Sequence, residues 1–188
     1  YNPRQLHHPG TPGQGDDVTI QLHNTLTRNA DAFSPTEEGH VRMYTCGPTV
    51  YNFAHIGNLR AYMFEDLLRR HLEFRGYRVT QVMNLTDVDD KTIKGAIEKC
   101  VSLNDFTREF KEAFFEDLKT LGIQPAAEYP AATEHIDGMI ALIQRLLDKG
   151  LAYSSDDGSV YFSISKFPDY GKLAHLDLDG LKPGARVE

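Results

Sequence analysis

The residues with the clearest chemical potential lie directly before a long amphipathic segment, in the stretch CGPTVYNFAHIGN at positions 46–58. His55, Gly57 and Asn58 stand where that segment would begin as a helix, and the N-terminus of a helix attracts anions. His55 can donate a hydrogen bond to a phosphate oxygen, and Gly57 lets the backbone approach a nucleotide. The stretch is not a P-loop, because the chain contains no GxxxxGK pattern. These residues predict a phosphate-binding site of another kind.

The second candidate is Cys46, which follows a predicted strand. A thiol can ionise and bind a metal, but on residue type alone a free cysteine is more often a small buried side chain. The other cysteine, Cys100, lies far away in the chain, and the two form no CxxC pair. That arrangement excludes a disulfide framework and a self-contained zinc finger, and it suits a reducing compartment.

A strand, a helix and a second strand must position these residues. Residues 41–46 alternate and end at Gly47-Pro48, which predicts a strand. A helical pattern runs from Gly57 to Gly76, and residues 79–85 are rich in β-forming residues. Together they predict a βαβ unit with parallel strands and a right-handed crossover. In a doubly wound sheet, ligands bind beyond the carboxyl ends of the strands, which is where residues 46–58 lie.

Further elements follow this unit. Thr86 and Asp89 fit a capping box at the start of a helix. Two amphipathic helices come next, one marked by a phenylalanine repeat from Phe106 to Phe114, the other capped by Thr133 and stopped at Gly150. Residues 152–153 and 160–164 flank the turn sequence SDDGS and predict a β-hairpin.

Composition restricts the class of protein. The chain has 188 residues, 40% of them hydrophobic and 25% charged, which is typical of a globular protein. A formal net charge of −7 argues against a general polyanion binder. The first twenty residues are polar and rich in Gly and Pro, so we expect no signal peptide there, and no apolar run is long enough to span a membrane. We therefore expect a cytoplasmic protein.

The segment His55-Ile56-Gly57-Asn58 resembles the HIGH motif of class I aminoacyl-tRNA synthetases. Five further blocks are similar, in the same order, to cysteine–tRNA ligases: residues 43–51, 84–91, 132–136, 149–153 and 170–173. The resemblance covers roughly residues 19–188. It implies an α/β fold, the amino-terminal half of a doubly wound parallel sheet of the Rossmann-like HUP type. The implied organisation is a flexible leader over 1–18, the first half of the catalytic domain over 19–149, and the start of a truncated β-rich connective insertion over 150–188.

The resemblance also assigns a cysteine pocket. Cys46 matches the first zinc ligand of the family, where the metal binds the sulfur of the substrate cysteine and so distinguishes it from serine. Gly47, Thr49 and Thr86 match residues that line the amino-acid pocket. For Thr86, a role as a helix cap is equally well supported by the sequence, and both roles can hold at once.

The same resemblance assigns an ATP site to His55, Gly57 and Asn58, with His55 and Asn58 as the catalytic pair that contacts the phosphates. Asn58 departs from the second histidine of the motif; it keeps a hydrogen-bond donor but cannot carry a positive charge. The implied reaction joins cysteine and ATP, with Mg²⁺, to form cysteinyl-adenylate, and then transfers the cysteinyl group to tRNA(Cys). The first step needs no general base, because the carboxylate of the amino acid is already ionised.

Several parts of the family pattern are absent from the 188 residues: the other three zinc ligands, the KMSKS loop and the anticodon-binding domain. We therefore expect the chain by itself to be inactive, to bind zinc weakly and to self-associate through uncovered surfaces, whereas the full enzyme would be monomeric. Two alternatives stay open, a cysteine-activating ligase of the mycothiol-pathway type and a non-catalytic paralogue.

Overall fold

A computed structural model describes residues 19–176, so the predicted leader and residues 177–188 lie outside the described part. The chain divides into two compact units. The described residues of the first unit are 19–34 and 169–176, and the second unit is Pro35–Pro168. The domain boundaries given above stay predictions.

The first unit contains a β-hairpin that the sequence analysis did not predict. Strands β1 (Gln21–Asn24) and β2 (Asn29–Ala32) pair in antiparallel register, with Asn24 opposite Asn29. Asp31 holds the turn by accepting hydrogen bonds from Asn24 and Thr27. Strand β2 has the sequence NADA, which lacks the β-branched and aromatic residues that mark a strand, so local pattern could not reveal it.

The second unit is built on the predicted βαβ unit. Strand β3 (His40–Thr45) pairs in parallel with β4 (Arg78–Met83), and helix α1 (Ile56–Phe74) connects them. The predicted parallel pairing is confirmed. A third extended segment runs along the other edge of β4, where Met83 N–H donates to the carbonyl of Glu128 at 3.1 Å. Within residues 19–176, the strand pairing of β3 is with β4 alone, so its outer edge is open.

Two helices follow β4. Helix α2 (Asp90–Lys99) is capped by Asp89, whose N–H donates to Thr92 Oγ1 at 2.8 Å while its side chain accepts from Lys91 N–H. The prediction that Thr86 caps this helix is wrong. Thr86 remains extended, because its backbone exchanges hydrogen bonds with Pro48 and Val50. Helix α3 (Leu103–Thr120) buries the predicted phenylalanines Phe106, Phe110 and Phe114, together with Leu118.

Helix α4 (Ile136–Asp148) starts after a 3-10 helix, Ala132–His135. The predicted cap Thr133 lies inside that 3-10 helix, and its backbone N–H and hydroxyl both donate to Asp87 instead. The predicted hairpin is present as β5 (Ala152–Ser154) and β6 (Val160–Phe162). No helix within residues 19–176 is both long enough and apolar enough to cross a membrane.

The main core lies between α1, α3 and the carboxyl end of β4. Its buried members are Tyr62, Met83, Leu85, Phe114, Leu118, Ile123 and Ala131. In contrast, α4 buries none of its side chains, and Ile140 and Leu142 are more than half exposed. The expected exposure of apolar helix surface is thus present on α4.

Gly95 allows α2 to pack against α3. A Cβ atom at this position would lie 2.2 Å from Cζ of Phe106. Alanine gains about 0.8–1.0 kcal/mol of helix propensity, but overpacking costs about 1–3 kcal/mol. We expect Gly95→Ala to lower the midpoint of thermal unfolding. Gly138→Ala is the control, because a Cβ in α4 at that position has no neighbour within 4 Å. An equal rise of both midpoints would contradict the packing argument.

Candidate functional site

His55 caps α1 and is held in a defined orientation. Its Nδ1 accepts a hydrogen bond from Gly57 N–H at 3.0 Å, so Nδ1 is unprotonated and the neutral ring carries its proton on Nε2. Asn58 completes the capping box by accepting from His55 N–H through Oδ1 at 3.2 Å. The Nε2–H of His55 and the Nδ2 amide of Asn58 are therefore the donors that a ligand can use.

Gly57 keeps this arrangement in place. A Cβ at Gly57 would lie 2.9 Å from the His55 ring, so a larger residue would push the imidazole out of its capping position. The first turn of α1 carries no acidic side chain. The partial positive charge of the helix N-terminus is therefore not neutralised locally, which favours an anion beside His55.

A cavity of about 240 Å³ opens beside this cap. Tyr62, on α1, is 3% exposed and forms part of its wall. Burial, together with the nearby Glu65 and Cys46, raises the pKa of Tyr62 to about 12, so its hydroxyl stays protonated at neutral pH. The wall consists of Gly47, Pro48, Thr49, Tyr51, Asn52, Phe53, Ala54, His55, Asn58 and Tyr62.

Asn84 joins the two segments that were predicted to form the cysteine pocket. Its Oδ1 accepts from Gly47 N–H at 3.1 Å, and its Nδ2 donates to Thr86 Oγ1 at 2.9 Å. Sequence reasoning gave Asn84 no role of its own. Its position in the sequence could have indicated a role, because polar residues at the carboxyl ends of parallel strands lie where ligands bind.

Gly47 approaches Asn84 so closely that no side chain fits between them. A Cβ at Gly47 would lie 1.8 Å from the backbone oxygen of Asn84. We expect Gly47→Ala to push apart the segments that follow β3 and β4. It should lower the free energy of unfolding by about 3 kcal/mol, the upper end of the range for overpacked substitutions. Denaturant unfolding would measure this.

Gly57→Ala is the comparison for that prediction, because its Cβ would meet only the movable His55 side chain. It should cost clearly less stability than Gly47→Ala. Equal losses of stability would show that close backbone approach at Gly47 is not what requires glycine.

The structure brings together only some of the predicted site residues. Gly47, Thr49, His55 and Asn58 share the cavity, whereas Cys46, Gly57 and Thr86 do not form its wall. Thr86 lines a second cavity of about 570 Å³ together with Asn84 and His135. The roles of these residues stay predictions.

Cys46 is exposed at the end of β3, with its Sγ 3.6 Å from the carbonyl oxygen of Gly47. A thiol is a donor that zinc prefers, and structural zinc sites take four ligands. Among residues 19–176, no cluster of three or more His, Cys, Asp or Glu side chains could hold a metal ion. Cys46 thus fits one position of a zinc site that the described residues do not complete.

Asp87 is a buried residue to which the sequence analysis gave no role in the site. It is 2% exposed and accepts from Lys111 Nζ at 2.6 Å and from Thr133 N–H at 2.9 Å. Burial by itself raises the pKa of this carboxyl, but the hydrogen bonds from Lys111 and Thr133 outweigh it and hold the pKa below its ordinary value. Asp87 thereby ties the segment that contains Thr86 to α3 and to the 3-10 helix.

The chain is similar in sequence to known cysteine–tRNA ligases. The cysteine–tRNA ligase of Brachyspira hyodysenteriae is 60% identical over 166 residues, 88% of this chain and 35% of its own length. Those of Protochlamydia amoebophila and Methanosarcina mazei are 56% and 52% identical over 169 residues, 90% of this chain and 35–36% of their own length. The predicted resemblance to cysteine–tRNA ligases is confirmed, and the chain spans about a third of the length of these relatives.

A solved structure shows the same fold. It is the LeuRS of Agrobacterium radiobacter, determined as a ternary complex with tRNA and LeuAMS. The match covers 65% of this chain and 16% of the LeuRS chain, with a TM-score of 0.55 and 25% sequence identity. Residues 32–188 also match the family described as the class I (C) catalytic domain of tRNA synthetases. The chain therefore belongs to the family of class I tRNA synthetase catalytic domains of the (C) type.

Proposed function

We propose that the chain forms the cysteine- and ATP-binding part of a cysteine–tRNA ligase, which activates cysteine with ATP to cysteinyl-adenylate and charges tRNA(Cys). The observation that carries this proposal is the 52–60% identity to enzymes of that name over nine tenths of the chain. The capped N-terminus of α1 beside a cavity adds the anion-binding geometry that the reaction needs.

In the proposed reaction, the chain acts by positioning and by stabilising negative charge. The carboxylate of cysteine attacks the α-phosphorus of ATP, and pyrophosphate leaves. His55 Nε2–H, the Asn58 amide and the N-terminus of α1 would donate to the phosphate oxygens, where charge develops. Mg²⁺ would accompany the phosphates. Since Asn58 already accepts from the backbone N–H of His55 through Oδ1, it can hold the cap in place and donate through Nδ2 at the same time.

The proposed cysteine site includes Cys46, Gly47, Thr49 and Thr86. Cys46 would supply one thiolate ligand to zinc, and the remaining ligands would come from outside the described residues. When bound, zinc distinguishes a thiol from a hydroxyl, because it is a borderline-soft metal that prefers sulfur. The exposed thiol of Cys46 supports this assignment.

The finer details of fold and assembly belong to the same proposal. The βαβ unit would be the amino-terminal half of a doubly wound sheet, and the β5–β6 hairpin would begin the connective insertion. The open edge of β3 and the uncovered surface of α4 support this. By themselves they favour self-association of the chain, whereas the full enzyme would be a cytoplasmic monomer that binds tRNA(Cys).

A chimera tests the proposed function. In it, this chain replaces the matching 166 residues of the B. hyodysenteriae ligase, and ATP–pyrophosphate exchange is measured with cysteine and with serine. We expect exchange that depends on cysteine, and none from the chain by itself. A chimera that is folded by circular dichroism but shows no exchange, or that accepts serine equally, would contradict the proposal.

A further inference from the structure

Two exposed aromatic residues stand at the rim of the cavity on a rigid base. Tyr51 is 39% exposed and Phe53 is 54% exposed. The ring of Phe53 packs edge-on against the buried Phe110, with centroids 5.2 Å apart, and Phe110 packs in the same way against Phe106 at 5.4 Å. The exposed ring of Phe53 is therefore supported by α3.

One lysine of α2 lies over the exposed ring of Tyr51, and a second lies over the buried rings of Phe106 and Phe110 that support Phe53. Lys91 Nζ lies 4.7 Å from the centroid of Tyr51, and Lys99 Nζ lies 5.3 Å from that of Phe106. Eight residues along a helix separate the two lysines by about 12 Å, so one ammonium lies at Tyr51 and the other at Phe110, the ring on which Phe53 packs. We call Tyr51, Phe53, Lys91 and Lys99 the aromatic–lysine strip.

We propose that the aromatic–lysine strip binds the single-stranded end of the RNA that receives the amino acid. Single-stranded nucleic acid is held by aromatic rings on which bases stack and by basic side chains that follow the backbone. The strip supplies both, next to the cavity assigned to ATP. This inference rests on the proposed function, which requires the acceptor end of a tRNA to reach that cavity.

The arginines of α1 do not offer an equivalent surface. Arg69 donates to Glu73 and to the carbonyl of Pro125, and Arg70 donates to Asp66 and to the carbonyl of Gly122. These side chains tie α1 to the loop that follows α3. The two lysines of the strip, in contrast, lie over aromatic rings. Lys91, at the exposed ring of Tyr51, lies close to where the phosphate of a base stacked on the strip would be.

Fluorescence anisotropy with a fluorescein-labelled, six-nucleotide single-stranded RNA tests the inference on the chain itself. We expect Tyr51→Ala to weaken binding by about 5- to 150-fold, the loss of one stacked base, and Tyr51→Phe to restore it. Lys91→Gln and Lys99→Gln should each reduce the slope of log affinity against log salt by about 0.7. Controls are Phe74→Ala and Lys94→Gln, which alter an exposed ring and an exposed ammonium outside the strip.

Several results would overturn the inference: no binding of the RNA by the folded chain, equal losses in the control variants, or equal binding of a duplex of the same length. Two results together would assign the rings to ATP instead of RNA. ATP would displace the RNA from the chain, and neither lysine variant would change the affinity for the RNA. The exchange assay on the chimera contains no RNA. Exchange without RNA binding therefore overturns this inference alone, and RNA binding without exchange overturns the proposed function alone.

Discussion

Cys46→Ser in the chimera is expected to lower kcat/KM for cysteine in pyrophosphate exchange by more than about 100-fold, because changes in the outer shell of a metal ligand already cost about 10- to 100-fold. A neutral hydroxyl is a poor zinc ligand, so the zinc content should fall as well. The preference for cysteine over serine should collapse, since a pocket without the metal distinguishes two isosteric side chains poorly.

The matched control is Cys100→Ser, which removes the other exposed thiol at the end of α2 and should leave both zinc content and exchange unchanged. Zinc content gives a readout that is independent of activity. If Cys46→Ser retained full zinc and unchanged exchange, the assignment of Cys46 would be wrong even if the chimera were active.

Asp87→Asn is expected to lower the free energy of unfolding of the chain by about 3 kcal/mol, near the lower end for breaking a buried ion pair. The amide can still accept from Thr133, but it leaves the ammonium of Lys111 without its carboxylate. The lower end of the range applies because the side chain of Lys111 is 22% exposed and so keeps some water. Denaturant unfolding measures the loss. Glu98→Gln is the control, because it removes a carboxylate from an exposed ion pair and should change stability little.

The stability supplied by Asp87 should also depend on pH. Its pKa is lower in the folded chain than the ordinary value of 3.8. The contribution is therefore complete above about 3.8 and is lost as the pH falls through the lower folded value. Asp87→Asn should flatten this acid limb of the stability curve. An equally steep acid limb in the variant would show that other carboxylates are responsible.

Local pattern was sufficient for most of the elements. The spacing of apolar residues predicted α1, α3 and the parallel pair β3 and β4, because each pattern describes one buried face. The predicted strand ends differ from the observed ones by one or two residues, at Cys46 and Leu85. Hairpin β1–β2 was not predicted. Its strands bury few side chains, so their sequence shows no sustained alternation of large apolar and polar residues that would indicate a strand.

The caps show where local pattern stops being decisive. The sequence TDVDDKT at 86–92 contains two overlapping capping registers, one starting at Thr86 and one at Asp89. Both satisfy local rules, but Thr86 N–H donates to the carbonyl of Pro48 and the carbonyl of Thr86 accepts from Val50 N–H. These bonds keep Thr86 extended, and Asp89 caps the helix. The contacts that choose between the registers come from residues nearly forty positions away.

The sequence by itself determined the family, the position of the turn that begins α1 and the identity of the residues at the carboxyl ends of the strands, because these follow from short-range order along the chain. Only the tertiary structure decided that Asn84 joins Gly47 to Thr86, that Asp87 is buried against Lys111, and that Lys91 lies over the ring of Tyr51. Each of these depends on chain segments that meet through packing. A buried polar group must find its partner within hydrogen-bond distance, and which partner it finds is a property of the folded chain.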